Sequence, residues 1–316
     1  MREDTGEAAA TLPPQTAAAD HRRAPPNVAA RRTPAALPRR ARAACLVHPR
    51  ADPMTTRLAH TVRAEHAVTG GRRLELTFGR AGDAEQVPAV LLLPDRVGPA
   101  PGAVLLHGYS SRKEQMAQDV GAGLLRLGVA SLAIDLPLHG ERAGDVDFRS
   151  VRNPLALAGS WRRGQADTRL ALGYLGARPE VDATRLALVG YSMGSFLGVT
   201  VAADTPAVRA LVLAAGGDLP TGTPFERLVR TVADPIRAVR RLDGRPLLMV
   251  HGRRDGTVRP EQAQRLFDAA PEPKTLRWYD AGHYLPRHAV DEAAQWLADE
   301  LGHGARRPAR RAAGAI

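Results

Sequence analysis

One short segment constrains the fold more than any other: an apolar run that continues directly into a serine held between glycines. Residues 186–190 read LALVG, and Tyr191, Ser192, Met193 and Gly194 follow. An apolar run of this kind predicts a buried strand, and the small residues after it predict a helix. A turn this sharp requires glycines beside it, because a Cβ there would clash. The turn would push the serine hydroxyl out of the sheet.

Strand and helix signals alternate over most of the chain. Short apolar runs predict strands at 74–78, 87–94, 103–108, 129–135, 186–190, 211–215, 246–252 and 275–279. Apolar residues at helical spacing predict helices at 116–125, 166–175, 261–269 and 288–301, in addition to the helix after the serine. This alternation predicts an α/β fold. We expect a mostly parallel central sheet with helices on both faces, preceded by one antiparallel hairpin.

Residues 216–244 interrupt the alternation directly after a predicted strand. Apolar residues at helical spacing predict an amphipathic helix outside the sheet, kinked at Pro235. These residues are Phe225, Leu228, Val229, Val232, Ile236 and Val239. Because the segment follows the carboxyl end of a strand, it is a candidate small helical lid over a pocket. An ordinary connecting helix is the alternative.

The basic charge of the chain is concentrated at its ends. The formal net charge is +11, of which residues 1–53 carry +4 and residues 302–316 carry +4, so that 54–301 carries +3. Residues 1–53 are rich in Ala, Pro and Arg and have few large apolar side chains, which predicts a disordered extension. We predict a second disordered, basic tail at 302–316. The folded domain is then 54–301, and Met54 is a candidate start of translation.

Several protein classes are excluded by composition and patterning. Cys45 is the only cysteine, which excludes a disulfide framework and a cysteine-based zinc site. No apolar run reaches the roughly 18 residues of a membrane span, and none follows the paired arginines as in an export signal. The basic ends hold nothing that reads bases, so we expect no specific nucleic-acid partner. The expected protein is cytoplasmic, without a membrane partner.

The serine turn needs a base and an acid to make its hydroxyl a nucleophile. Asp255 lies in a glycine-containing loop after a predicted strand, and His283 follows the next strand. Because both loops lie at the carboxyl edge of a parallel sheet, the order Ser192, Asp255, His283 suits a catalytic triad. Asp218 is a rival acid after its own strand. His288 is a weaker rival base, because it lies within the predicted last helix.

Acyl transfer also requires two hydrogen-bond donors for a developing oxyanion. The backbone N–H of Met193 lies at a helix N-terminus, where negative charge is favoured. The backbone N–H of Tyr109, after the AVLLHG strand, is the candidate for the second donor. His107, His139 and His251 are interpreted as structural histidines.

The motifs together resemble the α/β-hydrolase superfamily, in its dienelactone hydrolase-like and prolyl oligopeptidase catalytic-domain-like branch. The resemblance covers about residues 70–301 and rests on LLHGYSS, AIDLPLHGER, LVGYSMGS, MVHGRRDGTV and DAGHYLP in that order. It implies an α/β-hydrolase fold and a triad of Ser192, Asp255 and His283. It also implies that the Tyr109 and Met193 amides form the oxyanion hole.

Two departures from this branch limit what the resemblance implies. Dienelactone hydrolases proper use a cysteine nucleophile where Ser192 stands, so their lactone specificity is not carried over. Oligopeptidases add an N-terminal propeller domain, which 1–53 cannot form, so a peptidase is less favoured. The HGY sequence at the oxyanion position is similar to that of deacetylase and feruloyl-type esterases.

The sequence therefore predicts a serine hydrolase that cleaves carboxylic esters of small molecules through an acyl-enzyme. The resemblance implies no metal and no organic cofactor. Three alternatives stay open: an aminopeptidase or amidase, a thioesterase with the same triad, and a non-catalytic hydrolase fold that binds a ligand. The acyl and alcohol groups and the oligomeric state are not predicted.

Overall fold

Nine strands form a single mixed sheet in a computed structural model of the chain, which describes residues 58–143, 154–222 and 226–303. The described residues all fall in the second of two units of the chain, residues 52–316. The predicted disordered segments, 1–53 and 302–316, lie outside the described residues except for Gly302 and His303. Those two residues still belong to the last helix.

The strand order places the parallel part of the sheet at its centre and one edge. The strands are β1 (Leu58–Val68), β2 (Gly71–Arg80), β3 (Val87–Pro94), β4 (Ala100–Leu106), β5 (Ala130–Ile134), β6 (Val181–Tyr191), β7 (Val208–Ala214), β8 (Leu247–Gly252) and β9 (Lys274–Tyr279). Their order is β1-β2-β3-β5-β4-β6-β7-β8-β9. From β5 onward neighbouring strands are parallel, whereas β1, β2 and β3 pair antiparallel. The predicted α/β fold with a mostly parallel sheet is confirmed.

The sequence prediction missed β1, which forms the outer edge of the sheet. Most of its side chains are exposed, and it pairs with β2 from Leu58 opposite Arg80 to Val68 opposite Gly71. A strand that buries so little carries no apolar alternation to detect, which explains the omission.

Helices cover both faces of the sheet, as predicted. They are α1 (Lys113–Met116), a π-helical turn (Ala117–Gly121), α2 (Ala122–Arg126), a 3₁₀ turn (Gly140–Arg142), α3 (Pro154–Gly176), α4 (Met193–Ala203), α5 (Glu226–Val232), α6 (Pro235–Val239), α7 (Pro260–Ala269) and α8 (Arg287–His303). One apolar cluster includes residues of α3, α4, α6 and α7. The other includes residues of α1, the π-helical turn, α2 and α8.

Alternate residues of the central strands serve the two clusters. In β4, Val104 and Leu106 belong to the first cluster, whereas Ala103 and Leu105 belong to the second. All four side chains are fully buried. This burial on both faces accounts for the continuous apolar runs of the sequence.

The segment predicted as one kinked helix consists of two short helices, α5 and α6. The chain breaks before Pro235, which takes the first position of α6, and the Asp234 side chain accepts a hydrogen bond from the Arg237 N–H at 3.0 Å. Proline has no N–H to donate and suits this first position. Ala238 and Val239 of α6 are buried. Phe225, part of the predicted apolar face, lies outside the described residues.

None of the helices in the described ranges is both long enough and apolar enough to span a bilayer.

Candidate active site

The turn between β6 and α4 holds Ser192 in a backbone conformation that non-glycine residues rarely adopt, with φ +49°. The Ser192 N–H donates to the Ala214 carbonyl of β7 at 2.8 Å. A Cβ on Gly190 would lie 2.3 Å from the Gly194 carbonyl oxygen, and one on Gly194 would lie 2.2 Å from the Leu106 carbonyl oxygen. The glycines of GYSMG are therefore required by close backbone approach, and the strain at Ser192 is typical of a functional turn.

A second serine, Ser195, stabilises this turn through two hydrogen bonds. The buried hydroxyl of Ser195 lies 2.7 Å from the Gly190 carbonyl oxygen and 2.8 Å from that of Ala214. It thus links the start of α4 to the ends of β6 and β7. The hydroxyl of Ser192 remains available for a different partner.

That partner is His283, which links Ser192 to Asp255 in one hydrogen-bonded chain. His283 Nε2 lies 2.9 Å from Ser192 Oγ, and His283 Nδ1 lies 2.8 Å from Asp255 Oδ2. The fold brings together three residues that stand up to 91 positions apart in the sequence. In this arrangement Nδ1–H donates to the carboxylate, which leaves Nε2 to accept a hydrogen bond from the serine hydroxyl.

The loop that carries His283 is held by the residue next to the serine. The Tyr191 hydroxyl donates to the His283 carbonyl at 2.7 Å and accepts from the Leu285 N–H at 3.1 Å. On the other side, a Cβ on Gly252 would lie 2.1 Å from the Gly282 carbonyl oxygen, so the end of β8 lies directly against this loop. The loop that carries the imidazole is therefore held from two sides, by Tyr191 at the end of β6 and by Gly252 at the end of β8.

Asp255 is oriented by backbone amides after β8. Its Oδ1 accepts from the Thr257 N–H at 2.8 Å and from the Val258 N–H at 3.0 Å, which leaves Oδ2 for His283. The side chain is fully buried. His251 Nε2 lies 3.5 Å from the same Oδ2 and 2.8 Å from the Val258 carbonyl oxygen. Burial lowers the pKa of His251, so this neighbour stays neutral beside the carboxylate.

The two rival residues lie elsewhere. Asp218 is nearly buried and binds the Arg230 guanidinium through both carboxylate oxygens, at 2.9 and 3.1 Å, and Arg265 at 3.2 Å. It is thus an ion-pair partner within the segment that follows β7. His288 belongs to α8, where its ring contacts the ring of Tyr279 at 5.5 Å. Neither residue bonds Ser192 or His283 among the described contacts.

Of the two predicted oxyanion donors, Met193 directly follows Ser192, and the loop that carries Tyr109 approaches Ser192 through Gly108. Met193 is the first residue of α4, so its N–H has no acceptor within the helix. The loop after β4 approaches from the other side, since a Cβ on Gly108 would lie 3.4 Å from Ser192 Cβ, and Tyr109 is the next residue of that loop. The positive end of α4 therefore faces this region.

His107 anchors the same loop as a neutral residue. The Leu136 N–H donates to His107 Nε2 at 3.0 Å, so the proton resides on Nδ1 and is donated to the Gly108 carbonyl at 2.7 Å. Burial lowers the pKa of His107 to about 4. The geometry agrees with the interpretation of His107 as a structural histidine.

Sequence reasoning missed a buried charge network behind this loop. Asp135, at the end of β5, is fully buried and accepts from the backbone N–H and the ammonium of Lys113, both at 2.9 Å, and from the Glu141 N–H at 3.0 Å. Although burial alone would lower the pKa of Lys113, hydrogen bonds to Glu114, Glu141 and Asp135 raise it above its ordinary value. The network connects the loop of Tyr109 to the loop after β5. The sequence signal that could have indicated this network is Asp135 itself, an aspartate at the end of a predicted strand.

In the part of the chain that the structure describes, no group of three or more His, Cys, Asp or Glu residues is placed to hold a metal ion.

Comparison with known proteins places this chain in a family. The model of the dienelactone hydrolase family matches residues 87–294, which include every residue of the site described above. The chain belongs to the dienelactone hydrolase family.

The curated relatives are each matched over only part of their length. A carboxymethylenebutenolidase of Rhodococcus opacus is 34% identical over 146 residues, which is 42% of this chain and 55% of that protein. Over the curated relatives that it matches, the chain spans between 55% and 62% of their length.

Solved structures of esterases share the fold of this family member. Acetyl xylan esterase 1 from Thermoanaerobacterium sp. JW/SL YS485 has a TM-score of 0.61 and 20% identity, covering 78% of this chain and 88% of that chain. A cold-adapted esterase from an Arctic intertidal metagenomic library has a TM-score of 0.59 and 20% identity, covering 75% and 97%. At this identity the likeness shows the α/β-hydrolase fold.

Proposed function

We propose that this dienelactone hydrolase family member is a serine hydrolase that cleaves carboxylic esters of small molecules through an acyl-enzyme. The observation that carries the proposal is the hydrogen-bonded chain from Ser192 Oγ through His283 to Asp255, with distances of 2.9 and 2.8 Å. Hydrogen bonds of this length and order are what nucleophilic catalysis by a serine requires. Family membership and the esterase-like fold support the same reaction.

In the acylation step, Ser192 Oγ forms a bond to the ester carbonyl carbon while its proton passes to His283 Nε2. The carbonyl oxygen becomes an oxyanion, and the N–H groups of Met193 and Tyr109 bind it. The bond to the alcohol oxygen then breaks, and His283 returns the proton to that oxygen. Asp255 stabilises the imidazolium that exists between these two transfers.

In the deacylation step, water takes the place of the alcohol. His283 Nε2 accepts a proton from the water as its oxygen attacks the acyl carbon. The bond to Ser192 breaks, Ser192 recovers its proton, and the carboxylic acid leaves. The net reaction consumes one water and needs no oxidant or reductant.

Replacement of the nucleophile tests the proposal. We expect Ser192→Ala to lower kcat for a p-nitrophenyl ester by about 10⁴-fold or more, because among the described residues no other hydroxyl bonds His283 Nε2. Ser131→Ala is the matched control, since the buried Ser131 hydroxyl has no hydrogen-bond partner among the described residues. Equal turnover by the wild-type protein and Ser192→Ala would refute the assignment.

The same assay separates esters from related substrates. Enzymes that hydrolyse amides, aminoacyl amides or thioesters use the same triad, and these substrates differ from esters in their leaving group. A panel with one acyl group on oxygen, nitrogen and sulfur leaving groups therefore measures the preference directly. We expect the highest kcat/KM for the oxygen ester.

A further inference from the structure

The loop that carries His283 depends on one hydroxyl for the polar attachment of its backbone. Residues 282–285 lie between β9 and α8, and among the described residues they form no hydrogen bond from backbone to backbone. The Tyr191 hydroxyl supplies two contacts instead, because it donates to the His283 carbonyl at 2.7 Å and accepts from the Leu285 N–H at 3.1 Å. A single side chain therefore holds the backbone on both sides of residue 284.

The side chains that follow His283 hold this loop less precisely than the hydroxyl does. Tyr284 is 80% exposed, so it adds little packing. Leu285 packs against the second apolar cluster. Apolar packing is not directional, whereas a hydrogen bond constrains both a distance and an angle. The orientation of the loop therefore rests largely on the two hydrogen bonds of Tyr191.

Tyr191 is itself fixed at the strand end that carries the nucleophile. It is the last residue of β6, where it pairs with Ala214 of β7. The N–H of the next residue, Ser192, donates to the Ala214 carbonyl at 2.8 Å. The hydroxyl that holds the base and the backbone that holds the nucleophile thus belong to consecutive residues. The 2.9 Å separation of His283 Nε2 and Ser192 Oγ is linked to the protein through both of them.

The Tyr191 hydroxyl is suited to hold a loop and not to transfer a proton. Burial raises the pKa of Tyr191 above its ordinary value, although the hydrogen bond from the Leu285 N–H opposes this rise. The hydroxyl therefore stays neutral, and a neutral hydroxyl can donate and accept at the same time, as both contacts require. Among the described contacts, it bonds none of the side chains of Ser192, His283 and Asp255.

We propose that Tyr191 is a positioning residue for ester hydrolysis, whose hydroxyl holds the His283 loop so that Nε2 meets Ser192 and Nδ1 meets Asp255. The inference deepens the proposed function and rests on it for its kinetic consequences. Loss of the hydroxyl should lower the rate of catalysis, because the imidazole is no longer held at hydrogen-bond distance from both partners. Substrate binding should not change, because the hydroxyl is already occupied by the loop.

Two Tyr→Phe variants, which each lose one hydroxyl and keep the ring, separate positioning from stability. Tyr279→Phe is the matched control for Tyr191→Phe, since the Tyr279 hydroxyl donates to Glu292 Oε2 in α8 at 2.8 Å. With a p-nitrophenyl ester, we expect Tyr191→Phe to lower kcat about 10- to 100-fold and to keep KM within about twofold. Tyr279→Phe should keep both constants within about twofold. A lower midpoint of urea unfolding in both variants, with kcat unchanged in both, would overturn the proposal.

Proton NMR follows the imidazole without turnover. The His283 Nδ1–H, which bonds Asp255 Oδ2 at 2.8 Å, should give a low-field resonance that is absent from His283→Gln. We expect this resonance to move upfield or to broaden in Tyr191→Phe, because the hydrogen bond lengthens, and to stay unchanged in Tyr279→Phe. An unchanged resonance in Tyr191→Phe would overturn the proposal. If the resonance moves but the wild-type protein hydrolyses no ester, the proposed function is wrong and the positioning of His283 by Tyr191 stands.

Discussion

At the scale of single residues, the chemistry depends on which partner each buried polar group has. Ser192, Asp255 and His283 could be chosen from the sequence because each follows a predicted strand of a parallel sheet. The choice between Asp255 and Asp218 could not be made that way, since both follow strands. The hydrogen bonds distinguish them: Asp255 bonds His283, and Asp218 bonds Arg230.

These two aspartates form a matched pair for mutagenesis. We expect Asp255→Asn to lower kcat by about 10³- to 10⁴-fold, because the imidazole loses the partner that sets its tautomer. Asp218→Asn should keep kcat within about threefold of the wild-type value. It should lower the free energy of unfolding by about 1–3 kcal/mol, because the guanidinium groups of Arg230 and Arg265 lose the buried carboxylate that they share. The opposite pattern in steady-state kinetics would make Asp218 the catalytic acid.

Because His107 is buried, we expect the free energy of unfolding to depend on pH. Burial lowers its pKa from 6.5 to about 4 in the folded protein. Between these values the unfolded chain binds a proton that the folded protein does not. The free energy of unfolding should therefore fall by about 3 kcal/mol as the pH drops from 6.5 to 4, and this term is constant above pH 6.5.

Urea unfolding across this pH range measures the effect. The His107→Gln variant has no titrating group at this position, so its free energy of unfolding should depend less steeply on pH between 4 and 6.5. Identical slopes for the variant and the wild-type protein would show that His107 is not held neutral by burial.

At the scale of elements, prediction succeeded where burial leaves a regular pattern. β4 to β8 are buried on both faces and stand out as apolar runs, whereas β1 is mostly exposed and was missed. The predicted helix at 166–175 is the second half of α3, whose first half contains Gly159 and Gly164 and has weaker apolar spacing. The hydrogen bonds and ion pairs between loops could not be predicted, because a buried ion pair leaves no periodic pattern in the sequence.

The two lysines of the chain, Lys113 and Lys274, are a matched pair for testing the ion pairs that connect the loop of Tyr109 to the loop after β5. Lys113 is buried among Asp135, Glu114 and Glu141, whereas Lys274 donates to the Phe267 carbonyl near the surface. We expect Lys113→Gln to lower the free energy of unfolding by about 3–5 kcal/mol, since Asp135 keeps a buried charge without its counterion. The folded fraction should show a kcat reduced about 10- to 100-fold, because the loop of Tyr109 loses its attachment.

Lys274→Gln is the control for this substitution. It changes the same side chain outside the network, so kcat and stability should stay close to the wild-type values. Equal effects of the two substitutions in urea unfolding and kinetics would contradict a specific role for the Asp135 network.

At the scale of the whole molecule, sheet topology explains why distant residues meet. Residues 107–109, 192–193, 255 and 283 follow β4, β6, β8 and β9, and parallel strands bring their carboxyl ends to one edge. The strand order was not predicted, because alternation specifies strands and helices without specifying which strands are neighbours. The extensions at 1–53 and 302–316 and a lid at 216–244 stay predictions.

The domain boundary gives a prediction for the intact chain. If residues 54–303 form the complete catalytic unit, a truncated chain with those limits should keep the kcat of the full chain. Its free energy of unfolding should agree within about 0.5 kcal/mol, since the removed residues are predicted to bury little surface. A truncated chain that folds but loses activity would show that the extensions contribute to the site.

The intact mass of the protein after exposure to a fluorophosphonate tests most directly whether Ser192 is an activated nucleophile. We expect one covalent adduct that maps to Ser192, because an activated serine attacks this reagent. The adduct should be absent from Ser192→Ala and present in Ser131→Ala. A folded wild-type protein that acquires no adduct, or Ser192→Ala protein that still acquires one, would contradict the assignment of Ser192 as the nucleophile.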